Sequence, residues 1–166
     1  LLLALDAELV LVDGDSTRVV PLKEFYLGYK KFDKKPHEMV LEIKIPTPEL
    51  GTKIRFEKVS KRKALDIATV TSAAKIRIAD DGTVETFSVS AGGVAAFPLS
   101  LKRTEDFLKG RIITVDIARS AVSLALQEIS PISDVRGSSE YKTLLTRNFL
   151  IAHLMAVSDV TLEDFV

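Results

Sequence analysis

Asp80-Asp81-Gly82 stands between two runs rich in β-branched and small apolar residues, Ile67 to Ala79 and Thr83 to Ala91. An Asp-Gly pair in that setting is a strong hairpin signal, because glycine supplies the backbone conformation that a tight reversal needs. Beyond Pro98 the apolar period changes from that of a strand to that of a helix. Ser100 stands where it can cap a helix ending near Gly110. Asp116 to Ile129 places Ile117, Ala118, Ala121, Leu124, Ala125 and Ile129 on one helical face. Tyr141 to Val157 does the same with Tyr141, Leu144, Leu145, Phe149, Ala152 and Met155. Strands first and helices after make an α+β chain. From Asp66 onward the expected unit is a three-stranded antiparallel sheet, which Val94 to Phe97 resume after Gly92-Gly93, followed by three helices. The glycine pair reads as a bulge or close sheet crossing, since no helix starts directly after it to form a phosphate loop.

Upstream, Ala7 to Val12 and Thr17 to Val20 read as paired strands around the turn Asp13-Gly14-Asp15-Ser16. Pro21 to Tyr29 is expected to form a short helix, and Lys30 to Lys35 a basic loop. Met39 to Ile45 alternates apolar and charged residues, the period of a half-buried strand, until Pro46 and Pro48 break it. Lys53 to Val59 is a further strand. The boundary between the two units falls between about Pro46 and Asp66.

Charge and cysteine content exclude several function classes. Lys plus Arg and Asp plus Glu are equal at 23 each, which argues against a general nucleic-acid binder. With no cysteine, the chain itself offers no disulfide, thiolate-held zinc or iron–sulfur cluster, and a reducing cytoplasm fits. No apolar run approaches a membrane span; the longest, Phe149 to Val157, is interrupted by His153. Leu1-Leu2-Leu3 lacks the basic flank of a signal peptide. His37 and His153 each stand alone and read as surface or interface histidines. No nucleophile elbow is present. Neither a catalytic residue nor a metal ligand is expected.

One stretch is locally unbalanced. Lys53, Arg55, Lys58, Lys61, Arg62 and Lys63 face one acid, Glu57, before Asp66 opens an apolar run. Such a patch suits an anionic partner, such as the phosphates or reduced ring of a cofactor. It equally suits a solvated strand edge that blocks aggregation. Asp66 is either ion-paired to its basic neighbours or turned to a ligand. A nucleic-acid role would rest on this stretch alone.

Three segments carry a resemblance: Phe56 to Arg62 with Asp66 to Val70, then Val89 to Ala95, then Ser130 to Tyr141. In this order they resemble the FAD-binding subunit or domain of the molybdenum hydroxylases, which include xanthine and carbon monoxide dehydrogenases. Leu2 to Glu8, Pro21 to Tyr29 and Glu38 to Pro46 agree with it. The resemblance covers essentially the whole chain. It implies that residues 1–55 are the C-terminal part of an incomplete FAD-binding domain. Residues 56–166 would be the flavoprotein's C-terminal α+β domain, a small antiparallel sheet with a three-helix layer. The glycine-rich segments that hold the FAD pyrophosphate in the family are absent, so a fragment or one chain of a split protein is expected.

The resemblance further implies that Val40 lies against the flavin ring and that Lys58 contacts it. A cation there favours the anionic reduced ring and raises its potential. Arg62 and Lys63 fall on a loop near the flavin, where Asp66 is the one acidic residue and, with Arg62, a candidate cofactor contact. Animal relatives carry acidic residues on that loop where Ala64 and Leu65 stand here, which argues against regulatory switching by it. The implied function is electron transfer from iron–sulfur clusters through FAD to NAD or another acceptor. The implied partners are an iron–sulfur subunit, a molybdopterin subunit and the missing FAD-binding half, with neither nucleic acid nor membrane. The rival reading is a non-catalytic docking domain of the same kind of complex.

Overall fold

A computed structural model describes all 166 residues. The first unit is an antiparallel sheet of β1 (Glu8–Asp13), β2 (Ser16–Pro21) and β5 (Met39–Lys44), in the order β2-β1-β5. Gly14, at φ +57°, makes the turn between β1 and β2. Between β2 and β5 the chain departs from expectation. The helix α1 spans only Leu22–Phe25, and Tyr26–Gly28 (β3), expected in the helix, pairs with Lys31–Phe32 (β4), expected in a loop. Aromatic packing explains the hairpin: Phe32 lies 5.5 Å from the Phe25 ring and 5.9 Å from that of Tyr26, so closing it brings three rings together.

The second unit is a four-stranded antiparallel sheet of β6 (Lys53–Ser60), β7 (Ala68–Ile78), β8 (Val84–Gly92) and β9 (Leu99–Ser100), in that order. The hairpin at Asp80 to Gly82 is present, with Gly82 at φ +82°. Val94 to Phe97 do not resume the sheet. They form bends, Val94 is fully buried, and the last strand starts only after Pro98. The reason lies at the glycine pair. A β-carbon on Gly93 would sit 2.4 Å from the Thr69 carbonyl oxygen, and one on Gly92 2.7 Å from Thr71 Oγ1. The chain therefore crosses closely over β7 and leaves the sheet plane before it returns.

Three helices and a short 3-10 turn follow: α2 (Lys102–Leu108), α3 (Val115–Glu128), α4 (Ser139–Met155) and Leu162–Phe165. Thr114 and Ser138 cap α3 and α4 by accepting from the amides of Ile117 and Tyr141. Ser100 does not cap α2; it lies in β9, and its hydroxyl donates to Glu105 at 2.8 Å. The free amides of α2 are met from a distance. The Glu128 carboxylate at the end of α3 accepts from Arg103 N at 2.8 Å and Thr104 N at 2.9 Å.

The sheet of β6 to β9 has two covered faces. On one, Ala74, Ile76, Phe87 and Val89 pack with Leu108, Ala118, Ala121, Leu150 and Leu154 in the largest core cluster. On the other, the first unit docks through charge. Lys23 reaches Asp6 at 2.8 Å and Glu105 at 3.2 Å, Lys75 pairs with Asp6, and Ser88 accepts from Lys23 at 2.9 Å. Burial pushes the Asp6 carboxyl up, but the two lysines outweigh it and hold it below its usual range. Burial likewise pushes Lys23 down, and its two carboxylate partners hold it above its usual range.

Helix α4 turns a different face inward than its apolar period suggests. Tyr141, Leu144 and Met155 are exposed, whereas Lys142, Thr146, Leu150, Ile151, His153 and Leu154 are buried. Polar side chains enter the core because each of three has a partner there: Lys142 Nζ donates to the Ile132 carbonyl, Thr146 to the Lys142 carbonyl, and His153 bonds Ser72. His153 is thus a core residue with no exposure, correcting the surface or interface expectation, while His37 is exposed. Its Nε2 lies 2.9 Å from Ser72 Oγ, which itself donates to the Ser90 carbonyl.

Burial lowers the His153 pKa from 6.5 to about 4, Glu57 opposing and Arg55 assisting the shift. The neutral ring is the one that fits. Well above pH 6.5 the folded and unfolded chains are equally unprotonated here, so His153 carries no pH dependence there. As pH falls from 6.5 toward 4, the unfolded chain takes a proton that the native chain refuses, and stability is lost. Urea denaturation across that window is expected to lose up to about 3 kcal/mol through His153. A His153→Gln variant should show a correspondingly flatter slope. Gly93→Ala, which combines positive φ with backbone contact, is expected to cost more than about 2 kcal/mol in the same assay.

Candidate functional site

Val40, Lys58, Arg62 and Asp66 come from two places in the fold. Val40 lies on β5, whose start is fixed by a buried carboxylate. Glu38 accepts from Arg18 Nε at 2.6 Å and from Lys35 N at 2.7 Å, and Arg18 also reaches Asp33 at 2.9 Å. The Arg18 guanidinium and the Lys35 amide hold the Glu38 carboxyl at about 2. Val10 faces Glu42 and Leu11 faces Val40, so Leu41 is an extra residue in the β1–β5 ladder. Such a bulge re-aims the neighbouring side chains.

The expected half-burial of this strand is not seen. All six residues of β5 are exposed, Val40 by 46%, and β5 forms a free edge of its sheet. Alternation gave the strand correctly, but it assumed an inner face that this chain does not cover.

Lys58, Arg62 and Asp66 are brought together. Asp66 Oδ2 accepts from Arg62 N at 2.9 Å, and Oδ1 lies 3.5 Å from the Arg62 guanidinium. Lys58 Nζ donates to the Asp66 carbonyl at 2.8 Å. Of the two readings of Asp66, the geometry therefore gives the ion pair with Arg62. The Arg62 amide, with the guanidinium charge in support, holds the Asp66 carboxyl below its usual range. These contacts close the loop 61–67 on itself, with Leu65 at φ +51° and almost wholly exposed.

Register shows which way Lys58 points. Lys58 pairs with Thr71, Phe56 with Ala73 and Ile54 with Lys75. Opposed residues share a face. Lys75 bonds Asp6 of the first unit, so Ile54, Phe56 and Lys58 lie on the side of the sheet that carries that unit. Ile54 and Phe56 are about half-exposed there. Val40 and Lys58 thus belong to units that meet on the same side of one sheet.

For a flavin, the residues present fit one end of the ligand. Exposed apolar strands and a lysine suit a planar ring with a polar edge. A pyrophosphate needs a turn with free amides. Gly92 and Gly93 offer none, being pressed against Thr71 and Thr69, and Gly51 is isolated.

Two features escaped the sequence. Thr69 is an extra residue between the pairs Val59–Val70 and Ser60–Ala68, and its hydroxyl donates to the Arg136 carbonyl at 3.2 Å. Lys61 Nζ donates to the Val135 carbonyl at 2.5 Å. Both contacts span more than sixty residues, and no local pattern announces them.

Residues 55–157 match the family described as the CO dehydrogenase flavoprotein C-terminal domain. Residues 1–48 match the FAD binding domain in molybdopterin dehydrogenase. The chain is 32% identical over 143 residues to the carbon monoxide dehydrogenase medium chain of Afipia carboxidovorans, covering 86% of this chain and 49% of that protein. It is 29% identical over 150 residues to xanthine dehydrogenase 1 of Arabidopsis thaliana, covering 88% of this chain and 11% of that protein. The chain therefore spans about half of the former and a small part of the latter. Among solved structures, reconstituted CO dehydrogenase from Oligotropha carboxidovorans superposes with a TM-score of 0.84 at 27% identity, covering 95% of this chain and 56% of that one. Quinoline 2-oxidoreductase from Pseudomonas putida 86 gives 0.76 at 26% identity, covering 95% and 54%. These likenesses agree with the expected α+β fold.

Asp66→Ala is expected to free the 61–67 loop without unfolding the sheet. Hydrogen exchange should show the Arg62 amide losing protection while β7 amides keep theirs; loss of protection throughout β7 would contradict a purely local role.

Proposed function

Because the chain belongs to the CO dehydrogenase flavoprotein C-terminal domain family, we propose that it is part of the FAD-binding subunit of a molybdenum hydroxylase of the xanthine dehydrogenase kind. In this reading an iron–sulfur partner delivers electrons, which leave through FAD to NAD or another acceptor. Hydroxylation takes place on a molybdopterin subunit, and the assembly works in the cytoplasm. The FAD-binding portion, expected as residues 1–55, then ends before β6, which opens the C-terminal domain at Lys53 rather than at residue 56. The observation that carries the reading is the exposed apolar surface of β5 and β6 with Lys58 beside it, on the side of the sheet where the two units meet.

When bound, FAD supplies the storage and release of electrons. The residues of this chain supply position and field. Val40 offers an aliphatic surface for the ring. Lys58 offers a positive charge, steadied by the Asp66 carbonyl, that favours the anionic reduced form. Arg62 and Asp66 hold the loop that keeps Lys58 in place. A docking role for the C-terminal domain is the second reading. It is favoured by the structural use of its buried polar groups, Thr104 on Glu128 and Ser72 with His153.

In the intact subunit, Lys58→Met is expected to lower the flavin midpoint potential, because a cation near the reduced ring is lost. Potentiometry of the bound flavin tests this, and an unchanged potential would separate Lys58 from the flavin. These 166 residues alone are expected to bind FAD weakly. The pyrophosphate finds no glycine-rich turn among them, and a partial site carries a higher ordering cost. Fluorescence titration with FAD checks this; tight stoichiometric binding would place the site elsewhere.

A further inference from the structure

The loop 61–67 does not stand alone. Lys61 fastens it to the Val135 carbonyl, and the bulged Thr69 fastens the next carbonyl, that of Arg136. Behind the second loop, buried Lys142 holds the Ile132 carbonyl at 2.7 Å and Asp134 Oδ1 at 2.9 Å. Gly137 permits the close fit: a β-carbon there would lie 2.9 Å from the Tyr141 ring. Two segments far apart in sequence are thereby held as one surface.

That surface turns four large apolar side chains to solvent, with exposures of 96% for Leu65, 68% for Ile67, 73% for Ile132 and 84% for Val135. A leucine at φ +51° is a rare conformation for a bulky residue, held here by the Arg62–Asp66 closure. Charge is equally one-sided. Residues 61–67 and 132–137 carry four cations, Lys61, Arg62, Lys63 and Arg136, against two carboxylates, Asp66 and Asp134. Both carboxylates are engaged inside the surface, Asp66 with Arg62 and Asp134 with Lys142 and Arg136. The remaining field is positive in a chain whose cations and carboxylates are equal in number.

We propose that the 61–67 and 132–137 loops form a docking surface for another polypeptide of the electron-transfer assembly, one that presents acidic residues around an apolar centre. This inference rests on the reading of the chain as part of a multisubunit flavoprotein. Apolar residues within a charged surround match the anatomy of a protein interface, and neighbouring exposed apolar residues mark one. Complementary charge selects an acidic partner and speeds its encounter. The pinned loops are already ordered, so association costs them little conformational freedom.

The test uses the intact assembly with p-benzoylphenylalanine introduced at position 135. Irradiation is expected to join this polypeptide to a second one through a peptide rich in Asp and Glu. The double substitution Lys63→Glu and Leu65→Asp should reduce that product by about tenfold or more at low salt. Aspartate enters positive φ more readily than leucine, so the loop keeps its shape. Raising the salt should weaken the wild-type product in the same direction. Cross-links confined to the same polypeptide or to the flavin would overturn the proposal, as would a yield indifferent to both the double substitution and salt. Flavin absorbance of the same preparation separates the two readings. An assembly without flavin defeats the functional reading, whereas a flavin-loaded assembly with no intersubunit product defeats the docking surface alone.

Discussion

The sheet of β6 to β9 is covered by helices on one face and in part by the first unit on the other, and two kinds of force hold these covers in place. On one face the helices bury aliphatic side chains without direction, and the gain scales with area. On the other, Asp6, Lys23, Lys75 and Glu105 fasten the first unit by directed charge pairs. Coupling through charge fixes the angle at which β1, β2 and β5 meet the second sheet, because Lys23 bonds groups of both units and Lys75 reaches across to Asp6. The exposed strand β5 and the β6 face that bears Lys58 owe their shared side to that cluster.

Much of the fold was legible in local pattern. The Asp80 to Gly82 turn, the strands around it and the change to helical period after Pro98 follow from short-range sterics and amphipathicity. What was not legible depends on contacts between distant segments. Ser100 is a reasonable cap by type, yet Glu128 reaches α2 from 25 residues away. The inward face of α4 escaped because Lys142 and His153, polar by composition, find partners in the core. Val94 to Phe97 look like a strand, but the close crossing at Gly93 sends the chain out of the sheet plane.

The candidate site was legible to a similar depth. The basic run pointed to the segment that holds Lys58, Arg62 and Asp66, and these three share one hydrogen-bonded loop. The exposure of Val40 was not legible, since alternation reports a strand with two chemically different faces and is silent on what covers either. The bulges at Leu41 and Thr69 were also hidden, because an extra residue in a ladder leaves no trace in composition.

The free edge of β5 has a consequence for the solution behaviour of this polypeptide. A strand with unpaired amides on one side and with Met39, Val40, Leu41 and Ile43 all exposed is a template for intermolecular β-pairing. It contains no proline, and its interior charges, Glu42 and Lys44, lie 3.4 Å apart as a neutralising pair. They therefore serve poorly as gatekeepers against self-assembly. Whatever lies along this edge in the working protein acts as a chaperone for it, and concentrated solutions of the 166 residues alone should polymerise strand to strand.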